Sequence, residues 1–419
     1  MYYKLLNKKN AQSITILMAL LTLLLLARDT LYTSCLLGFY RAQFWMFLLI
    51  LTLCVIFLVN NRKRWREIFL DRRMILLVVS TAVILLPLFA KQDWQLMYLS
   101  ILLCIYISIF FSYFTDSRTI AKYYVLWMAV IGGISIVATY LLKPLADAGY
   151  LPISVFENTA QTKFYNFYLA FAVAQPNYIR NFGIFREPGV YQFFLLLGIY
   201  LSNYHVDWNH RATKWTVQGI LYATILSTFS TNGILEAVLL GIFVFFDQKH
   251  YQNRKSRWLL IGTVLGGAVA VAAAVIYNDT VKWTLYSMVG KLFSLTASSG
   301  ARMESIIVDF QMFLQHPFIG NGIGEVLYAV DHNTTSTLIL LSILGVLGGC
   351  FGIAVWVVLL WKKDRNVLMN LLLVGLVFLS FNTQNLVADL FFWIFPIMVV
   401  EEKLLAMGTG KTAETEKTK

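Results

Sequence analysis

His332 stands in Asp331-His332-Asn333-Thr334-Thr335-Ser336, directly before an apolar run at 337–360. A histidine beside a helix N-terminus feels positive potential, which favours the neutral imidazole. A neutral imidazole can take a proton from a hydroxyl, as a general base must. The same residue could instead be a helix cap or an interfacial polar group, and spacing does not separate these roles. A second segment, residues 177–189, holds Arg180, Gly183, Arg186, Glu187, Pro188 and Gly189. Pro188 suits the first turn of a helix, whose free amides and dipole, joined by Arg180 and Arg186, would make an anion site. Arginines at such a place can also snorkel to lipid headgroups. Glu236 and Asp389 lie inside apolar runs, where carboxylates are functional candidates by default. Both fall within about two helical turns of a run's end. With Glu187 and Asn333 they could line a cavity. His316 is a weaker candidate, and His205, His210 and His250 sit in basic loops as solvated groups. No Asp-x-Asp pair, P-loop, dinucleotide glycine fingerprint or His-Glu-x-x-His occurs, so no metal and no cofactor is expected.

The elements that must position these residues are apolar. Of the 419 residues 58% are hydrophobic and only 13% charged, against about a quarter charged in a soluble domain. Apolar runs near 12–27, 44–60, 75–90, 95–114, 123–142, 189–204, 216–230, 233–247, 259–277, 337–360, 367–381 and 386–400 approach or reach bilayer-spanning length. The expected fold is an all-α polytopic membrane protein of about twelve transmembrane helices. One membrane domain would cover 1–407, followed by a disordered cytoplasmic tail at 408–419. Ser230-Thr231-Asn232-Gly233 is a turn signal that divides 216–247 into two spans. Arg28-Asp29-Thr30-Leu31 is no cleavage site, so the first run is expected to stay as a span. The four cysteines lie in or beside apolar runs and read as small buried hydrophobes.

Charge orients the spans. With twelve of them, the loops on the N-terminal side carry 24 of the 34 basic residues, and the opposite side carries ten. Basic residues are retained in the cytoplasm, so both termini are expected inside. The net charge of +12 is then a topology signal, with no nucleic-acid partner implied. Two outward loops, 143–188 and 278–336, are too long for mere connectors and are expected to contain short interfacial helices. Within 301–315, Ile306, Phe310 and Phe313 share one helical face, with Arg302, Glu304 and Asp309 off it. That pattern predicts an amphipathic helix on the outer membrane surface. Pro317 and Gly320-Asn321-Gly322-Ile323-Gly324 would end it in a tight turn. Asn278 and Asn333 match the glycosylation sequon, a weak signal.

Taken together, Arg180…Gly183…Phe185-Arg186-Glu187-Pro188-Gly189, Ser227…Ser230-Thr231-Asn232-Gly233, Gly300-Ala301-Arg302, His316-Pro317-Phe318-Ile319-Gly320-Asn321-Gly322-Ile323-Gly324, His332-Asn333 and Gly345-x-x-Gly348 resemble the bacterial O-antigen polymerase/O-antigen ligase family. The resemblance is close over the second half of the chain and extends to the rest only as a span pattern. It implies metal-independent, inverting transfer of a glycan from an undecaprenyl-diphosphate carrier to a sugar hydroxyl. The product would be a surface polysaccharide: O-antigen, capsule or exopolysaccharide. Arg180, Arg302 and Arg186 would bind the diphosphate, and His332 would be the base. The expected setting is the outer face of the bacterial cytoplasmic membrane, with the lipid bilayer and the lipid-linked oligosaccharide as partners. A chain-length regulator or flippase of the same pathway could be a further partner. Eleven residues separate His332-Asn333 from Gly345, a longer spacing than in ligases, which leaves ligation to lipid A core as the alternative. A flippase or other transporter is the alternative of another class. Its expected six-plus-six repeat is not visible here.

Overall fold

A computed structural model describes residues 2–60, 73–158, 161–247, 297–330 and 333–408. The span expected at 259–277, His250, His332, the Asn278 sequon and most of the tail lie outside the described residues. The rest is mostly helical: α1 (Tyr2–Leu25), α2 (Phe39–Asn60), α3 (Arg73–Lys91), α4 (Met97–Phe111), α5 (Ser117–Val137) and α6 (Lys143–Asp147) come first. There follow α7 (Pro188–Tyr204), α8 (Arg211–Ser227), α9 (Thr231–Asp247), α10 (Ala297–Gln315), α11 (Ile323–Ala329), α12 (Thr337–Leu360), α13 (Val367–Phe381) and α14 (Leu390–Gly408). A π-helical turn, Ala138–Leu142, joins α5 to α6.

Every expected span among the described residues coincides with a helix. Among the described residues three stretches, Arg73–Lys91, Ser117–Asp147 and Thr337–Leu360, are long and apolar enough to cross a membrane. That is fewer than the dozen expected, because several of the other helices are short or carry charge. Met97–Phe111 and Val367–Phe381 have 15 residues each, α8 opens with Arg211 and Lys214, and α14 ends through Glu401, Glu402 and Lys403.

The all-α expectation needs a correction in the first long loop. Val155–Glu157, Lys163–Asn166 and Phe171–Val173 form strands β1, β2 and β3 of an antiparallel meander, in the order β1-β2-β3. Phe156 pairs with Phe164 across β1 and β2 and stacks on it, with ring centroids 5.5 Å apart. Asn158 accepts from the Thr162 amide at 2.8 Å to close the first hairpin. Such short strands with aromatic and polar residues mixed give only a weak period-2 signal.

The chain divides into two compact units. The first comprises residues 1–124, 301–361 and 381–419. In its core α14 packs on α4 and α12. The Trp356 ring lies 4.5 Å from Phe381 and 5.5 Å from Phe392. The second comprises 125–300 and 362–380. There α7 is buried over nearly its whole length between α8 and α9. In both units large apolar side chains face outward in stripes: Ile75, Val78, Val79, Leu86 and Phe89 on α3, and Leu235, Val238, Leu239, Ile242 and Phe246 on α9. Exposed apolar stripes of this size mark surfaces that meet lipid or another protein rather than water.

Candidate functional site

In the first unit the second long loop is built around a break in α12. Gly345 adopts φ 63°, ψ −165°, so the span expected at 337–360 is two helical pieces. The carbonyls released by the break accept from the loop: Asn321 N–H to Ser342 O at 2.8 Å and Gly322 N–H to Ile343 O at 3.2 Å. Val346 N–H donates to Pro317 O at 2.7 Å. A Cβ on Gly345 would lie 2.6 Å from Gly320 N, so the two backbones meet where no side chain fits. The buried Asn321 adds Nδ2 bonds to Met312 O and Ser342 O at 2.6 and 3.2 Å. Asp93 accepts from Gly324 N–H, and Tyr98 OH from Ile323 N–H, each at 3.0 Å. Gly320-Asn321-Gly322-Ile323-Gly324 and Gly345 are therefore two halves of one backbone crossing.

That crossing anchors α10, which departs from its expected orientation. Its exposed stripe is Met303, Ile307, Phe310 and Leu314, while Ser305 and Asp309 are fully buried. Asp309, expected on the solvated face, points inward because it meets three donors. Asn333 Nδ2 donates to Oδ1 at 2.6 Å, Thr335 Oγ1 to Oδ2, and Ser342 Oγ more distantly to Oδ1 at 3.5 Å. Burial lifts the Asp309 carboxyl to about 6, and these hydrogen bonds restrain the rise. Asn333 Oδ1 in turn accepts from Thr335 N–H at 2.9 Å. Ser336 then ties the turn to the segment before α14: its Oγ donates to Gln384 O at 2.5 Å and accepts from Leu386 N–H at 2.9 Å. Asn333 is thus a structural node.

Arg302 is half-buried on α10, on the same face as Ser305 and Asp309 by helical spacing. Asp389 is fully buried just before α14, where its carboxylate accepts from Phe391 N–H at 2.8 Å. Arg28 and the buried Asp29 lie beside it.

The second unit holds Arg180, Arg186, Glu187 and Glu236. Asn181 is its organiser: the buried Nδ2 donates to Ser135 Oγ and Ser227 Oγ, both at 2.9 Å, and Oδ1 accepts from Gly183 N–H at 2.8 Å. Gly183 has φ 58°, and a Cβ there would strike the Tyr191 ring. Pro188 does open α7, with Glu187 extended at its N-cap. Arg180 is half-buried and donates its Nε to Thr228 O at 3.1 Å, so part of its guanidinium braces the turn between α8 and α9. Tyr178 lies beside Arg180 and Glu187; burial raises its phenol and the guanidinium opposes the rise. Arg186 and Glu187 are exposed, and Glu236 is buried on α9.

Asp309, Asn321 and Asn181 are the polar residues that sequence reading did not single out for a role. Spacing could have flagged Asp309: Arg302, Ser305 and Asp309 recur at three and four residues on a helix whose other face is apolar. No family model, curated protein or solved structure matches the chain.

Proposed function

We propose that the chain is a polytopic enzyme of the bacterial cytoplasmic membrane that polymerises undecaprenyl-diphosphate-linked repeat units of a surface polysaccharide on its outer face. His332 takes the proton of the acceptor hydroxyl as that oxygen attacks the anomeric carbon. The bond from that carbon to the diphosphate breaks with inversion, and undecaprenyl diphosphate leaves. Arg302 neutralises charge that develops on the diphosphate. A lipid diphosphate is a good leaving group, so the acid–carboxylate pair of glycoside hydrolases is dispensable.

The observation that carries this reading is the sorting of helix ends within each unit. In the first, the ends assigned outward by the lysine and arginine bias meet through Asp93, Asp309, Asn333 and Ser336. Those assigned inward meet through Arg73 with Ser112 at 3.2 Å and Ser117 N–H with Glu402 at 2.6 Å. In the second, Asn181 and Ser227 join outward ends. Inward ends meet where Arg365 grips Asp247 at 2.7 Å and stacks over Tyr204, 5.0 Å from the ring centroid. Alternating spans require this pattern, and the motif-bearing polar residues sit at the ends assigned outward by charge.

The test is the lipid-linked glycan left by His332→Ala. Single repeat units should accumulate on the carrier at the outer face, shown by gel sizing and by sensitivity to an outside-only glycosidase. Long carrier-linked polymers would indicate a ligase, and single units on the inner face a flippase. Either result overturns the proposal.

A further inference from the structure

Helix α10 presents three distinct faces, and protein covers one of them. Ser305 and Asp309 are buried against the turn at 333–335 and against α12. Met303, Ile307, Phe310 and Leu314 recur at three and four residues as an exposed apolar stripe. Glu304, Gln311 and Gln315 are exposed as well, on a line of their own. At about 100° per residue this polar line runs roughly a quarter-turn from the stripe, on the side away from the half-buried Ile306 and Phe313. A helix whose free side met only water would gain nothing by sorting apolar from polar side chains there. One sunk wholly in hydrocarbon or in another protein would not keep a carboxylate and two amides in line beside the stripe. Sorting of this kind belongs to a helix that lies along a boundary, with protein on one side, an apolar medium on the second and water on the third.

The neighbouring surface identifies the apolar medium. The turn that follows α10 is tied to the segment after α3: Gly324 N–H donates to Asp93 and Ile323 N–H to Tyr98 OH, each at 3.0 Å. Exposed aromatic rings stand beside those bonds. Phe89 and Trp94 pack edge to face with centroids 5.7 Å apart, and Trp94 is 69% exposed. On the α10–α11 side Phe318 and Tyr328 are 72% and 93% exposed. Phe89 also ends the exposed stripe of α3, a helix long and apolar enough to cross a membrane. That stripe is aliphatic from Ile75 to Leu86, aromatic at Phe89 and followed by Lys91, Gln92 and Asp93, at the end assigned outward by charge. Trp and Tyr combine an apolar ring with a polar tip and collect where hydrocarbon gives way to headgroups. Contact with a protein would require no such grading along the helix axis.

We propose that α10 lies in the headgroup–acyl boundary of the outer leaflet, with Met303, Ile307, Phe310 and Leu314 among the lipid chains and Glu304, Gln311 and Gln315 towards water. Trp94 and Tyr328 mark the same level on the neighbouring loops. The inference rests on the membrane reading and is independent of the transfer reaction. The lipid face is not the one that spacing picks out, Ile306, Phe310 and Phe313, because the buried contacts of Ser305 and Asp309 turn the helix about its axis.

The test uses Ile307→Cys, Phe310→Cys, Gln311→Cys, Leu314→Cys and Gln315→Cys singly, in the full chain without native cysteines. Each carries a nitroxide in vesicles of phosphatidylethanolamine and phosphatidylglycerol. Power saturation compares collision with oxygen, which concentrates among acyl chains, and with a water-soluble nickel chelate. Labels at 307, 310 and 314 should collide several-fold more with oxygen than with nickel and lie roughly 5–10 Å below the headgroup boundary. Labels at 311 and 315 should show the reverse preference. Nickel access along the stripe would place it in water, and exclusion of both reagents would place it against protein, a second copy of the chain included. Oxygen preference at all five positions would immerse the helix completely. Each of these three results overturns the inference. If the substituted chains do not accumulate, the wild type is labelled by a photoactivatable phospholipid in the same vesicles, and the modified residues are mapped by mass spectrometry. Modification of both the α3 stripe and the 303–314 stripe is expected. Modification of α3 alone overturns the inference, whereas modification of neither removes the membrane reading on which it rests.

Discussion

Replacing Asp309 by asparagine should change how stability depends on pH, and the sign follows from its burial. The carboxyl is raised from 3.8 to about 6 in the folded chain. A raised carboxyl binds its proton more tightly folded than unfolded, so acidification through 6 towards 4 favours the folded state. Above 6 the buried charge is present and that stability is lost. A shift of about two pKa units corresponds to roughly 3 kcal/mol in full, of which roughly 2 kcal/mol is gained between pH 7.5 and 4.5. Asparagine does not titrate, so subtracting its curve from that of the wild type removes every other carboxylate. At roughly 2–4 °C per kcal/mol for a unit of about this size, the wild type should gain about 4–8 °C over Asp309→Asn across that range. Tryptophan-fluorescence melting of both proteins in one mild detergent measures the difference. Melting temperatures that run parallel from pH 7.5 to 4.5, or a wild type that loses ground on acidification, would refute the reasoning.

Gly345→Ala should destabilise the first unit by about 2–5 kcal/mol. Its φ 63°, ψ −165° costs other residues ~1–3 kcal/mol, and the added Cβ meets Phe318 and Gly320 backbone. Gly375→Ala, with nothing within 4 Å, is the control that should melt within a degree or two of wild type. Arg365→Ala strands Asp247, whose side chain is only 13% exposed, and should cost ~3–5 kcal/mol. Arg365→Lys should recover part of the melting temperature and not all, because the two-pronged contact to Asp247 at 2.8 and 2.7 Å needs the guanidinium fork. For topology, single cysteines replacing Tyr328 and Lys255, in a background without native cysteines, are probed with an impermeant maleimide on spheroplasts. Labelling at 328 and protection at 255 is expected; the reverse would invert the whole orientation.

Much of the helical architecture was legible in the sequence. Hydrophobic runs located the helices because the backbone must satisfy its own hydrogen bonds wherever side chains are apolar, and local sequence decides that. Pro188 marked the start of α7 for an equally local reason, its missing N–H. The meander at 155–173 was not legible, since strands of three or four residues have pairing partners but almost no period. Nor was the inward turn of Asp309. Its apolar neighbours Ile306, Phe310 and Phe313 define a face by spacing, yet the face that is buried follows the donors Asn333, Thr335 and Ser342, which are 24, 26 and 33 residues away. The glycines at 320–324 and 345 announced tight backbone, but not that they meet each other. Residue type and spacing determined which segments are helical and which loops carry the polar groups. Only the tertiary structure decided which carboxylate is buried and which asparagine it holds, because those choices depend on donors that distant parts of the chain bring into reach.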